Sequence, residues 1–143
     1  MSKGRPAKLP TVAVRSVNRA QAANYLRKAE QHLAEAVEAV AAERWDTAVL
    51  LAIHAAMSAA DAACVSSAGL RSASPSHADQ PRLLRQLLPD DEEAKRTAAQ
   101  LEALIDRKNT VEYEARRCQP ADAQISTKQA QRVVQWVRSL IAT

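Results

Sequence analysis

Three polar side chains share one face of an otherwise apolar segment, and they form the first candidate for a functional site. His54, Ser58 and Asp61 fall at i, i+4 and i+7 within TAVLLAIHAAMSAADAACV, which places them on one side of a helix. Burying such groups without partners costs roughly 1–3 kcal/mol for each. We therefore expect either a satisfied buried network, or a cleft or dimer interface lined by these side chains. The spacing leaves both interpretations open.

The second candidate is the segment RKNTVEYE at residues 107–114. Its charged residues, Arg107 and Lys108 among them, equally suit a solvated helix face with ion pairs along the helix. Tyr113 alone is typical of a half-buried packing residue.

The third candidate is a polar loop that carries Arg71 and His77. A loop histidine beside Arg and Ser can bind phosphate or exchange protons near neutral pH. A surface histidine that caps a helix is the other interpretation.

The elements that position these residues are predicted to be helices. Of the 143 residues, 47% are hydrophobic but only 3% aromatic, and only 2 are glycine. This composition suits closely packed helices and excludes a glycine-rich phosphate loop. Apolar residues at helical spacing predict an all-α bundle of five helices, over about 18–43, 46–66, 80–88 and 89–117, and from 126 to near the end of the chain. The segment 46–66 lacks a charged face and is predicted to be the central helix.

Four residues are predicted to mark the helix ends. Asp46 and Ser126 are placed to cap the N-termini of the second and fifth helices. Gly69 fits the C-terminal cap of the second helix, and Pro120 is expected to break the fourth.

Positive charge is concentrated at the N-terminus. Residues 1–19 contain five basic residues and no acidic one, whereas the whole chain has a net charge of +4. We predict a flexible basic tail over residues 1–16 and a helical domain over 17–143. Such a tail is either a solvated leader or a source of weak, salt-sensitive attraction to nucleic acid.

The remaining features indicate a protein that folds in a reducing cytoplasm. Cys64 and Cys118 lack metal-ligand spacing, so we expect two thiols, with Cys64 buried, and no zinc. We find no secretory signal and expect no membrane-spanning stretch. No cofactor is implied.

Together, the segments IHAAMSAADAAC, GLRS…SH and RKNTVEYE, following a long first helix, resemble the HEPN domain family over about residues 20–141. The chain looks most like the small stand-alone bacterial members. The resemblance implies a two-fold homodimer whose late-helix motifs face each other across a basic cleft. It also implies metal-independent ribonuclease activity, common among toxins and defence proteins of this family.

The active-site pattern of the family is an Arg, often followed by a polar residue, and a His four to six residues beyond the Arg. Here Arg107 or Lys108 with Asn109 can stand for the first part, but Glu112 or Tyr113 occupies the position of the His. A tyrosine, with a pKa of about 10, is a poor base at pH 7. His54 or His77 can serve instead if the fold brings either of them near the fourth helix.

Two functional hypotheses follow. In the first, a HEPN dimer binds RNA or a nucleotide, with Arg107, Lys108 and Asn109 on phosphate and Tyr113 stacking or hydrogen bonding. His54, Ser58, Asp61, Arg71 and His77 would then line the same site. In the second, the polar residues form a buried network in a non-catalytic dimerisation module that acts with a partner protein such as an antitoxin.

Overall fold

The computed structural model describes residues 10–75, 77–114 and 117–142. Within them the chain forms five α-helices: α1 (Ala22–Ala41), α2 (Trp45–Ala68), α3 (Gln80–Leu87), α4 (Glu92–Tyr113) and α5 (Pro120–Ala142). Two short strands, β1 (Val14–Ser16) and β2 (Leu70–Ser72), and a 3-10 turn at Arg19–Gln21 complete the fold. The predicted all-α, five-helix bundle is confirmed.

Helix α2 is the centre of the bundle, as its sequence predicts. It contacts every other helix, and its buried residues are mostly alanines. Small side chains allow neighbouring helix axes to approach closely, because there is little bulk between them. The short connection from α1 turns the chain back along α2, so these two long helices lie antiparallel.

The end of α2 fixes the loop that carries two candidate site residues. Gly69 adopts a left-handed conformation (φ 67°) and donates its N–H to Val65, which confirms the predicted C-terminal cap. A side chain is disfavoured at this φ value. The chain then enters β2, which contains Arg71.

The segment before residue 17, which the sequence predicts to be a flexible tail, contains a strand of the fold. Residues 1–9 lie outside the described residues, but residues 14–16 form β1, which pairs antiparallel with β2. Val12 is only 6% exposed. The alternation of Val12 and Val14 with polar or small residues explains the difference, because it gives this segment an apolar side to bury.

Helices α1 and α2 do not begin where the sequence predicted. Asn18 caps the 3-10 turn, and α1 begins only at Ala22. Helix α2 begins at Trp45. Asp46 does not cap it, because its carboxylate accepts the backbone N–H of Cys118 at 2.6 Å.

The predicted boundaries of α4 and α5 were also wrong. Asp91 caps α4 through the N–H of Ala94, and the helix ends at Tyr113 instead of near residue 117. Pro120 begins α5, because the fixed φ of proline and its missing N–H suit the first helical position. Ser126 is therefore a buried residue inside α5 instead of its cap.

Within the described parts of the chain, one helix is long and apolar enough to cross a membrane by length and composition alone. This is α2, with a mean hydropathy of 1.8 and 78% of its most apolar window buried inside the protein. A core helix passes the same test of length and composition. Its burial accounts for its hydropathy without a membrane.

Candidate functional site

The polar face of α2 runs from the protein surface into the core. His54 is exposed, Ser58 is half-buried and Asp61 is 4% exposed. The three side chains share one side of the helix, as their spacing requires. Because their exposure differs, His54 can meet a ligand from solvent, whereas Asp61 can interact only with neighbouring protein groups.

Asp61 is the centre of a hydrogen-bonded network. Its Oδ1 accepts a hydrogen bond from Gln80 Nε2 at 2.9 Å. Its Oδ2 lies 3.4 Å from Arg71 Nη2 and 3.9 Å from His77 Nε2. Burial raises the pKa of Asp61, and the positive charge of Arg71 is the largest effect that opposes that rise. Both carboxylate oxygens of Asp61 therefore have partners, whereas Gln80 Oε1 is buried without one among the described residues.

Arg71 connects this network to α1. Its guanidinium carbon lies 5.3 Å from the centre of the Tyr25 ring, and its Nη1 donates to the Tyr25 hydroxyl at 3.3 Å. The stacked and paired geometry fixes the planar guanidinium on two sides. Its Nε is buried and has no hydrogen-bond partner among the described residues.

Helix α1 contributes a polar face that the sequence analysis missed. The ring centroids of His32 and His54 are 6.0 Å apart, and the charge of Lys28 acts on Asp61. Tyr25, Lys28 and His32 occur at i, i+3 and i+7, the same kind of spacing that singled out the polar face of α2. They were overlooked because α1 is amphipathic, so polar residues on it are unremarkable by themselves.

Helix α4 brings one cation to the two candidate histidines. Lys108 is close enough to lower the pKa of both His54 and His77 by its positive charge. Its Nζ lies 3.4 Å from a carboxylate oxygen of Glu112, one turn along the helix. Through this charge α4 is linked to His54 and His77, the two histidines expected to serve in place of an α4 imidazole.

The two histidines are held in the form that can accept a proton. Desolvation is the largest cause that lowers the pKa of His54, followed by the positive charges of His32 and Lys108. Burial likewise lowers the pKa of His77, against the opposing effect of Asp61. His77 also has φ 59°, in the left-handed region, and strain of this kind is concentrated at functional sites.

The remaining α4 candidates do not join this group. Arg107 turns towards α5, where its Nη1 donates to Ser126 Oγ at 2.8 Å and to Gln129 Oε1 at 3.3 Å. It borders a separate open cavity of about 320 Å³ beside the α4–α5 connection. Asn109 is exposed, and Tyr113 is the last residue of α4, with its side chain outside the described structure.

We name the assembled residues the polar cluster: Tyr25, Lys28 and His32 from α1, His54, Ser58 and Asp61 from α2, Arg71 and His77 from the following segment, and Lys108 and Glu112 from α4. It combines three imidazoles, two of which have a lowered pKa, with the cations Lys28, Arg71 and Lys108. Such a set can bind a phosphate and exchange protons with groups attached to it. Among the described residues, no group of three or more His, Cys, Asp or Glu side chains is arranged to hold a metal ion.

The comparisons with known proteins give one match. The family model described as HEPN domain matches residues 22–140, a range that includes every residue of the polar cluster. No curated protein and no solved structure matches the chain significantly.

Proposed function

The chain belongs to the HEPN domain family, and we propose that it binds RNA or a nucleotide at the polar cluster. The observation that carries this proposal is the meeting of Arg71 and His77 at the carboxylate of Asp61, on the helix face that also carries His54. The positive charge of Lys108 acts on both histidines. The family supplies the nucleotide-related context, and the cluster supplies the groups that can recognise a phosphate.

The same cluster supports metal-independent cleavage of RNA. In that reaction the ribose 2′-OH attacks the adjacent phosphorus, and the 5′-oxygen leaves as a cyclic phosphate forms. His54 has a lowered pKa and suits the role of base for the 2′-OH proton. Lys108 suits stabilisation of the charged phosphorane. His32 is the imidazole beside His54 and can return a proton to the departing oxygen.

In this proposal the general base does not come from the α4 position at which the family has its His. The α4 segment of this chain has Glu112 and Tyr113 there. The cluster replaces that missing imidazole with one from α2. Arg107, bound to α5, is better suited to holding two helices together than to contacting a substrate.

The test is cleavage of end-labelled RNA in the presence of EDTA. We expect the wild-type protein to produce 2′,3′-cyclic phosphate ends, and His54→Gln and Lys108→Gln to lose at least 100-fold in rate, within the usual range for a general base. Lys95→Gln is the matched control, because Lys95 is an exposed lysine on the same helix, away from the cluster. Equal rates in all four proteins would remove the cluster from the reaction.

A second candidate function is a non-catalytic dimerisation module, which the buried hydrogen bond and ion pair of Asp61 favour. Measuring the oligomeric state by light scattering, together with RNA binding, distinguishes the two candidate functions. A dimer that binds neither RNA nor nucleotides, and that dissociates in Asp61→Asn, supports the module. A dimer that binds RNA and loses it in Lys108→Gln supports the first proposal.

The cellular setting completes the proposal. Members of the family commonly dimerise, and we propose a homodimer in the cytoplasm that acts in a toxin–antitoxin or defence system with a cognate antitoxin. Co-purification of the tagged chain with the product of an adjacent gene tests this, and growth inhibition on expression of the chain alone is the expected companion result.

A further inference from the structure

The basic charge of this chain extends beyond the predicted tail and into the fold. The first 29 residues contain seven basic residues and no acidic one, and Glu30 is the first acid in the chain. The rest of the chain has 13 basic and 16 acidic residues. The fold therefore carries its excess positive charge on β1, the 3-10 turn and the start of α1.

The strand pair places two arginines directly opposite each other. Arg15 on β1 is the register partner of Arg71 on β2, and like charges at opposed positions destabilise a strand pair. Arg71 is compensated by Asp61 and Tyr25. Arg15 is exposed and forms no ion pair within the described residues, so none of these residues offsets the cost of placing it there.

Two further cations lie around this strand pair. The side chain of Arg19 lies against Gly69, the residue before β2. Lys28 lies one turn along α1 from Tyr25, whose hydroxyl accepts a hydrogen bond from Arg71. Neither side chain has an ion pair within the described parts of the chain. We name Arg15, Arg19, Lys28 and Arg71 the ribbon patch.

The ribbon patch is continuous with the polar cluster. Arg71 and Lys28 belong to both, and His77 lies on the same carboxylate as Arg71. Along α1, the seven residues from Tyr25 to His32 correspond to about 10 Å. A mononucleotide bound at His54 and Lys108 would leave the ribbon patch without a counter-charge, whereas a polynucleotide has further phosphates to place there.

We propose that the ribbon patch binds the phosphodiester backbone of an RNA strand next to the phosphate held at the polar cluster. The inference rests on the proposed function and narrows it, because it makes the ligand polymeric RNA instead of a mononucleotide. Exposed guanidinium groups suit phosphate oxygens through paired, charge-assisted hydrogen bonds. Asp61 compensates Arg71 inside the protein, and the backbone of the ligand would neutralise the exposed Arg15 opposite it.

The experiment measures the salt dependence of binding by fluorescence anisotropy, with fluorescein-labelled oligouridylate and with uridine monophosphate as the two probes. For the oligomer, each phosphate contact contributes about −0.7 to the slope of log K against log salt concentration. We expect Arg15→Gln/Arg19→Gln to reduce the magnitude of that slope by about 1.4 and to weaken binding several-fold at low salt. Arg15→Lys/Arg19→Lys should retain most of the slope.

The control is Lys128→Gln/Arg132→Gln, which removes the same charge from two exposed positions on α5 and should leave the slope unchanged. Equal helicity by circular dichroism shows that each variant folds. If the ribbon variant binds like wild type while Lys108→Gln loses the oligomer, the inference is overturned and the proposed function stands. Wild-type protein that binds the monophosphate as tightly as the oligomer also overturns it. If wild type binds neither probe, both proposals fail.

Discussion

At the scale of single residues, Asp61 is the side chain on which the others depend. It is 4% exposed and holds Arg71 and His77 at one carboxylate oxygen. A buried charge is tolerated only when it is paired and hydrogen-bonded. Loss of the carboxylate would therefore release both the loop histidine and the arginine stacked on Tyr25.

We expect Asp61→Ala to lower the free energy of unfolding by about 2 kcal/mol. Breaking a fully buried ion pair costs roughly 3–5 kcal/mol, and the side chain of Arg71 is 24% exposed, so water screens part of that loss. Urea denaturation measures the change. Ser58→Ala is the control on the same face and should cost less than about 1 kcal/mol, and equal losses in the two variants would contradict the central role of Asp61.

The lowered pKa values of His54 and His77 allow a prediction of how the stability of the protein depends on pH. The pKa of His54 and of His77 is lowered from 6.5 in the folded protein, so the unfolded chain takes up protons first as the pH falls. Their contribution to stability is full above pH 6.5 and is lost as the pH falls through the lowered values. The melting temperature should therefore drop less between about pH 7.5 and about pH 5 in His54→Gln/His77→Gln than in wild type. Parallel pH profiles would contradict the shifted values.

The sequence predicted about half of the cluster at this scale. His54, Ser58 and Asp61 were recognisable because polar residues contrast with the apolar helix around them. Lys28 and His32 were not, because α1 has a normal polar face and nothing local distinguishes a residue that faces α2. The separation of Arg107 from Lys108 follows from the direction of α5, which no short segment encodes.

At the scale of elements, the number and order of the helices were predictable and several of their ends were not. Apolar periodicity depends on the helix itself, whereas the end of a helix depends on which neighbour satisfies its last backbone groups. Asp46 illustrates this. The sequence indicates a cap for α2, but the carboxylate binds Cys118 in the α4–α5 connection, 72 residues away.

We expect Asp46→Ala to cost about 1 kcal/mol at neutral pH, because it removes a charge-assisted hydrogen bond from a partly exposed site. That bond is the largest cause that lowers the pKa of Asp46 below 3.8. The stability it gives is present above pH 3.8 and disappears as the pH falls through the lowered value. Denaturation of Asp46→Ala and of the exposed control Glu38→Ala should differ at pH 7 and converge in strong acid. A constant difference at every pH would contradict a contribution from the ionised carboxylate.

At the scale of the whole molecule, the core is organised around α2, so we expect its centre to become exposed only when the whole bundle unfolds. Cys64 on this helix is 1% exposed, and burial raises the pKa of its thiol well above the ordinary value. The thiolate is the reactive form. The predicted burial of this cysteine is confirmed, and its reactivity should report unfolding of the entire bundle.

Labelling of Cys64 by a disulfide reagent in a Cys118→Ser background tests this cooperativity and the Asp61 network together. If Cys64 reacts only from the unfolded chain and refolding outpaces labelling, its rate follows the unfolding equilibrium. Asp61→Ala is expected to lower the free energy of unfolding by about 2 kcal/mol. Adding this substitution should then accelerate labelling of Cys64 about 30-fold. Fast labelling that is indifferent to Asp61→Ala would mean that α2 opens without the rest of the bundle. In that case the polar cluster is held by a mobile element, and the unprotonated histidines lose the rigid frame that the proposed chemistry requires.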